Sequence, residues 1–280
     1  MKKLLITAAL AGTCLFAGAQ DMMSKKGTPI LPEAGDWSIG VDGSDLIRYF
    51  GNIFTKDVNN TTTLTPQINQ TLTGLYVKDE NTAFRVKLRI GFGSTSKDNI
   101  VHETGNSSAD ATVSDNRKMS NMNFTIGAGL QKSRGKGRLH GIYGAEVGLG
   151  IGSSKSTYAY GNPFNTTTIG AGGPESTTDF DLGTSGPVNS RTTEDKNGST
   201  FNFGLDAFIG AEYFFAPKMS LSGEYAWGLM LTSTGEGETT TESANSTGDG
   251  STTSTSKSGK SSSFGLDVTN IGSITLHFYF

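Results

Sequence analysis

The segment 82–93, which reads TAFRVKLRIGFG, constrains the fold of this chain more than any other part of the sequence. Its apolar and polar residues alternate without interruption after Ala83. A period of two is typical of a β-strand whose two faces meet different environments. One face is apolar, whereas the other carries Arg85, Lys87 and Arg89 followed by glycines. The fold must therefore provide an environment for a wide apolar face and partners for three cations.

Eight segments after the N-terminus read as strands of this kind. They lie at about 36–43, 67–77, 82–96, 117–132, 139–154, 199–214, 218–234 and 262–280. Short turns alternate with long connections at 44–66, 97–116, 155–198 and 235–261, so all long loops leave one end of an up-and-down meander. These loops are rich in Ser, Thr, Gly, Asn and Asp, which bury too little apolar area to fold alone, so we expect mobile loop tips.

The N-terminus has the features of a secretory signal peptide. Lys2 and Lys3 precede an apolar core at 4–16, and small residues at 17–19 form a cleavage site. The domain prediction is a cleaved leader at 1–19, a periplasmic N-terminal segment at 20–35 and a β-barrel domain at 36–280. The only cysteine, Cys14, lies in the leader.

Composition excludes two classes of protein. Hydrophobic residues make up 34% of the chain, which is too few for a helical membrane protein. The formal net charge is −3, with Lys and Arg scattered among acidic residues, so we predict no binding of nucleic acid.

Alternation alone is compatible with two arrangements: a soluble barrel with its apolar face inward, or a membrane barrel with that face outward. Glycine is frequent on the polar face, as at Gly127, Gly148 and Gly204, and small residues suit the narrow interior of an eight-stranded barrel. The last strand ends at the terminal Phe280, and a closed barrel satisfies every backbone polar group in lipid. We therefore predict an all-β fold, an eight-stranded antiparallel up-and-down transmembrane β-barrel with long extracellular loops and short periplasmic turns.

Aromatic residues on the apolar face gather at two levels, as the interfacial girdles of membrane barrels do. The level near the short turns contains Trp37, Tyr76, Phe84, Tyr143, Tyr213 and Phe278, and the other contains Phe92, Phe124, Phe201, Trp227 and Phe264. The two levels are about 8 to 10 residues apart, which is near the length of a tilted strand that crosses the hydrocarbon layer.

The leader, the alternating strands, the loop asymmetry and the terminal aromatic strand look like small outer-membrane β-barrel proteins. The segment GDWSIGVDGSDLIRYFGN resembles the family with an outer-membrane β-barrel domain found in Bacteroidetes-type bacteria. The resemblance implies a place in the cell outer membrane, with lipid around the wall and both termini in the periplasm. It also implies that the terminal LHFYF, with Leu276, Phe278 and Phe280, is read by the barrel-assembly machinery.

Charges on the polar face would line the interior, where isolated charges are costly and should pair. The predicted lumen charge network contains Arg85, Lys87, Arg89, Glu146, Asp206, Glu212 and Glu224. Glu212 and Glu224 are the expected partners of the cations, forming a polar plug that leaves no open channel.

No catalytic, cofactor-binding or metal-ligating set is predicted. His140 and Glu146 could imitate part of a hydrolytic site, but six residues of one strand separate them by about 20 Å. The leading functional hypothesis is a non-catalytic surface barrel whose loops at 155–198 and 235–261 contact an external ligand or mediate adhesion. A narrow pore for small solutes and a soluble secreted binding barrel are the alternatives.

Overall fold

The structure, a computed structural model, describes residues 23–42, 71–164, 176–244, 251–266 and 271–280. These residues form fourteen strands and no helix. The strands are β1 (Trp37–Asp42), β2 (Leu72–Asp79), β3 (Thr82–His102), β4 (Thr112–Lys136), β5 (Leu139–Ala159), β6 (Thr177–Asp179), β7 (Thr184–Gly186), β8 (Ser190–Lys196), β9 (Thr200–Ala216), β10 (Met219–Thr234), β11 (Glu238–Ala244), β12 (Ser251–Lys257), β13 (Ser261–Leu266) and β14 (Ile271–Tyr279). The fold is all-β, and its main sheet is an antiparallel up-and-down sheet of twelve strands.

Eight strands of this sheet are joined by a continuous series of antiparallel pairings. Strands β1 to β5 pair in sequence order. Strand β5 then pairs with β9, β9 with β10, β10 with β14, and β14 with β1. The seam between the first and last of these strands is extended by Trp37 and Phe280, whose backbone N–H groups each donate to the other's carbonyl. The predicted segments correspond to these eight strands, with β13 belonging to the last segment.

The prediction for two of the long loops is wrong, because both contain strands. Strands β8, β11 and β12 lie within 155–198 and 235–261, which were expected to be loops with mobile tips. Strand β8 pairs with the end of β5 and with β11, and β11 pairs with β12. These threonine-rich segments are not isolated strands. Each of them is hydrogen-bonded to a neighbouring strand of the main sheet. β-branched residues such as Thr favour this pleated conformation.

The predicted loop at 97–116 is also much shorter in the structure. Strand β3 continues to His102 and β4 begins at Thr112, with β3 paired to β4 along the full length of β3. The predicted leader, the whole loop at 44–66 and the start of the second predicted strand lie outside the described residues.

Short interruptions of two strands separate the outer strands from the rest of the sheet. Strands β8 and β9 follow each other along β5, with 197–199 between them, and β10 and β11 are likewise interrupted at 235–237. A Cβ atom on Gly198 would lie only 2.0 Å from the Gly235 carbonyl oxygen. The close approach of these two segments of the chain therefore requires glycine at 198.

The apolar faces of the strands point outward and the polar faces inward. Ile209 and Phe92 are 65% and 71% exposed, whereas Arg85 on the opposite face of β3 is 2% exposed. This is the reverse of a barrel with an apolar interior. A small apolar cluster is buried at the short-turn end and consists of Ile30, Leu75, Val77, Phe214 and Tyr279. No helix in the described residues has the length and apolar character needed to cross a membrane.

Candidate functional site: a charged interior and a folded outer lobe

Arg85 is the centre of the interior charge cluster. Its Nη2 donates to Glu224 Oε2 at 2.7 Å, and its Nη1 lies 3.5 Å from Gln131 Oε1. The guanidinium stacks over the Phe208 ring at 4.4 Å from the ring centroid, which adds a cation–π contact. These partners come from β10, β4 and β9, so one side chain on β3 links four strands across the interior.

Glu146 joins the same cluster from β5. Its Oε1 accepts from Lys87 Nζ at 2.6 Å, and its Oε2 lies 3.3 Å from Arg85 Nε. The second contact is an ion pair by distance but not a hydrogen bond, because neither atom has a partner of suitable geometry. Two carboxylates therefore face two cations, and the cluster is locally neutral.

The direct ion pairs expected between Glu212 and the cations do not form among the described residues. Glu212 Oε1 accepts from the hydroxyls of Ser220 and Tyr279 instead, and it forms no ion pair in the part of the chain that the structure describes. Arg89 also forms no ion pair with any described residue, and its Nε is buried without a hydrogen-bond partner. Asp206 lies opposite Glu146 in the pairing of β5 with β9. The structure thus brings together Arg85, Lys87, Glu146 and Glu224.

The predicted girdle residues lie on the outward face. Those that are exposed are Trp37, Phe84, Tyr143, Tyr213, Phe278, Phe92, Phe201, Trp227 and Phe264, whereas Phe124 and Tyr76 are half-buried. Trp37, Tyr76 and Phe84 are cross-strand neighbours on β1, β2 and β3, with ring centroids 4.8 and 6.4 Å apart. In the terminal strand, Leu276 is half-buried and Phe280 is exposed.

The outer lobe, formed by residues 99–117, 158–164, 176–196 and 238–244, contains a second buried arginine. Arg191 donates from Nε and Nη2 to Glu242 Oε2 at 3.1 and 3.0 Å, and from Nη1 to the Asn162 carbonyl at 2.6 Å. Its guanidinium lies 4.4 Å from the Tyr160 ring and 4.6 Å from the Phe164 ring. The lobe therefore has a small core of its own.

Two buried polar residues hold the loop backbone of the lobe. Asp115 is 0% exposed and accepts from the backbone N–H groups of Gly161 and Thr178 at 2.9 and 2.8 Å. Asn162 donates from Nδ2 to the carbonyls of His102 and Ser176, both at 2.8 Å. Such bonds satisfy loop backbone that would otherwise be buried without partners.

Tyr160 lies half-buried in the lobe. Its hydroxyl donates to the Thr192 carbonyl at 2.7 Å. Burial raises the pKa of Tyr160 to about 12, although the nearby Arg191 cation opposes the rise. The roles of Asp115, Tyr160, Asn162 and Arg191 were not predicted, because these residues lie in or beside polar tracts without periodicity. The threonine content of 190–196 was the only available indication of a strand there.

The structure gives His140 and Glu146 different partners. His140 Nε2 lies 3.2 Å from the Gly137 carbonyl oxygen, whereas Glu146 binds Lys87 and Arg85. Among the described residues, no group of three or more His, Cys, Asp or Glu side chains is placed to hold a metal ion. A comparison of the sequence with protein-family models finds no match, and a search of curated proteins also finds none.

Proposed function

We propose that this chain is a non-catalytic outer-membrane β-barrel of eight strands, whose outer lobe is a rigid surface for contacts outside the cell. One observation carries the proposal: a band of exposed apolar side chains surrounds an interior of paired charges. Such a distribution would be unstable in water, because a large contiguous apolar surface promotes association. In lipid it is the expected arrangement, with backbone groups paired from strand to strand.

The height of the apolar band supports the membrane location. On β9 the outward residues run from Phe201 to Tyr213, and all but Ala207 and Ala211 are large and apolar. Twelve residue steps at about 3.3 Å, tilted by about 45°, span roughly 28 Å. This height is close to the roughly 30 Å of a bilayer's hydrocarbon core.

The outer lobe supports a role in surface contact. It is held by a buried arginine, by Asp115 and by Asn162, so its surface is presented in a fixed shape rather than by a flexible tail. Loops on a rigid scaffold are where binding functions usually reside. Adhesion to an external protein or polysaccharide is the function that this arrangement supports best.

We do not propose a pore, because the Arg85 cluster crosses the interior. Planar-bilayer recordings of the purified protein should show no conductance steps. Regular steps in the wild-type protein would favour the alternative of a narrow conduit.

The orientation can be tested by cysteine labelling, in a background that carries Cys14→Ser. Thr241→Cys lies in the outer lobe and Ser133→Cys near a short turn. A membrane-impermeant maleimide should label the first in intact cells, and the second only after permeabilisation. Recovery of the protein in the soluble fraction, or equal labelling of both positions in intact cells, would overturn the proposal.

A further inference from the structure

A chamber at the short-turn end has no role in the proposed function. Its volume is about 790 Å³, and it lies between the N-terminal segment 23–36 and the inner ends of the strands. The wall is largely apolar and includes Leu31 from the segment, with Leu75, Val77 and Phe214 from β2 and β9. Ligand sites are typically chambers of about 300–1,000 Å³ with apolar walls and a few polar groups.

The N-terminal segment is fixed in place, so the chamber is formed in advance. Ile30 is 3% exposed and packs in the apolar cluster. The backbone N–H of Lys218 donates to the Ile30 carbonyl at 3.1 Å, and its Nζ pairs with Asp36. Lys218 has φ of 55°, a left-handed conformation that is uncommon for a residue with a side chain. These contacts hold both the turn and the segment.

Glu212 lies at the inner end of the chamber with one carboxylate oxygen unused. It is 3% exposed, and both of its hydroxyl donors, Ser220 and Tyr279, bind Oε1. Oε2 has no hydrogen-bond partner among the described residues. Oε2 is not among the fully buried unpartnered atoms of the described residues, so it has an open side that a donor group of a ligand can reach.

The other polar groups around the chamber also favour a cation. His140 Nε2 lies near the Gly137 carbonyl, so the proton is assigned to this nitrogen and Nδ1 is left as an acceptor. The charged residues of the lining are Glu33, Asp79, Glu80, Lys136 and Glu212. Four acids against one lysine make the lining itself acidic, while Lys218 lies 3.8 Å from Glu33 and Lys132 lies near Asp79 at the rim.

We propose that this chamber binds a small organic cation, an ammonium group on an apolar body, entering from the short-turn end. The ammonium donates to Glu212 Oε2, and the body packs against Leu75, Val77 and Phe214. The proposal does not depend on what the outer lobe contacts.

Methyl NMR of the protein in lipid nanodiscs tests the site directly. The probe is cyclohexylammonium, with cyclohexanol and cyclohexanecarboxylate as neutral and anionic matches of similar shape. We expect saturable shifts at Leu75 and Val77 with cyclohexylammonium, and at least about tenfold weaker binding of the other two. The lipid-facing Val147 should show only the linear drift of probe dissolved in lipid. Equal binding of the cation and the alcohol, or no saturable shift, would overturn the proposal.

Variants distinguish binding of the cation to the Glu212 carboxylate from a general attraction of cations to the acidic lining. Glu212→Gln should weaken cyclohexylammonium binding at least tenfold and leave cyclohexanol unchanged, whereas Glu80→Gln at the rim should change the cation's affinity less than threefold. If Glu212→Gln does not fold, Leu31→Trp fills the chamber from the segment outside the sheet and should abolish the saturable shifts. Unchanged cation affinity in either Glu212→Gln or Leu31→Trp would contradict the proposal.

Discussion

The interior and the outer lobe are each organised around a buried arginine, but they hold it in different ways. Arg85 binds Glu224 and Glu146 from strands on different sides of the interior. Arg191 binds the single carboxylate of Glu242 through two nitrogens, and it stacks on two aromatic rings where Arg85 stacks on one. Arg85 therefore ties the wall together across its interior, whereas Arg191 ties together neighbouring loop segments. Replacement of Arg85 should therefore lower the stability of the whole fold, whereas replacement of Arg191 should lower the stability of the lobe alone.

The largest effect is expected for Arg85→Ala. It leaves Glu224 and Glu146 without their shared cation in a buried site, which costs about 3–5 kcal/mol of unfolding free energy. Urea unfolding in lipid vesicles measures the change. Arg89→Ala on the same face of β3 is the matched control, with a loss below about 1 kcal/mol because no ion pair with described residues is broken. Similar losses for the two variants would show that the cluster does not stabilise the wall.

Arg191→Ala should destabilise the lobe without changing the stability of the rest of the fold. We expect a local loss of about 2 kcal/mol, since the two charge-assisted hydrogen bonds to Glu242 Oε2 and the stacking on Tyr160 and Phe164 disappear. Hydrogen exchange at 177–196 should accelerate, with the vesicle unfolding midpoint unchanged. Arg191→Lys should fall between wild type and Ala, because Lys keeps the charge without the planar fork. A shift of the global midpoint as large as that of Arg85→Ala would contradict the division into two regions.

Replacement of the two interior glutamates, Glu224 and Glu212, should lower the free energy of unfolding by different amounts. Glu224→Gln removes the charge that Arg85 binds at 2.7 Å and should cost about 2 kcal/mol. Glu212→Gln should cost about 1 kcal/mol or less, because an amide oxygen still accepts from Ser220 and Tyr279. The same urea measurement ranks the two variants. The reverse order would mean that Glu212 carries the ion pairing expected from the sequence alone.

The smallest effect is a pH dependence confined to the lobe. Hydrogen bonds from Lys155 and Lys196 lower the pKa of Glu194 below its ordinary value of 4.5. A carboxyl whose pKa is lowered in the fold stabilises it above the unfolded pKa, and this contribution is lost as the pH falls through the folded pKa. Hydrogen exchange at 190–196, corrected for the intrinsic pH effect, should therefore show protection that declines below about pH 4.5. Glu194→Gln should remove that decline; a decline that persists in this variant would assign it to another group.

The wall could be predicted because its alternation is a physical consequence of separating two environments. Phe84 and Arg85 are adjacent in sequence and face opposite sides, as the period of two requires. Partner choice within the interior was not predictable, since it depends on stagger between strands: Glu146 reaches Arg85 and Lys87, whereas Glu212 lies among hydroxyls. The lobe was missed because Arg191 and Asp115 act through loop backbone and long-range pairing, which leave no period in the sequence.

The central claim is that the apolar faces of the strands meet lipid and the polar faces do not. Single cysteines at 145–149 on β5, in the Cys14→Ser background, can carry a fluorophore whose quenching by a lipid-confined nitroxide is measured in vesicles. We predict strong quenching at Ala145, Val147 and Leu149 and weak quenching at Glu146 and Gly148. Quenching without this alternation, or stronger at the two even-numbered positions, would contradict the account.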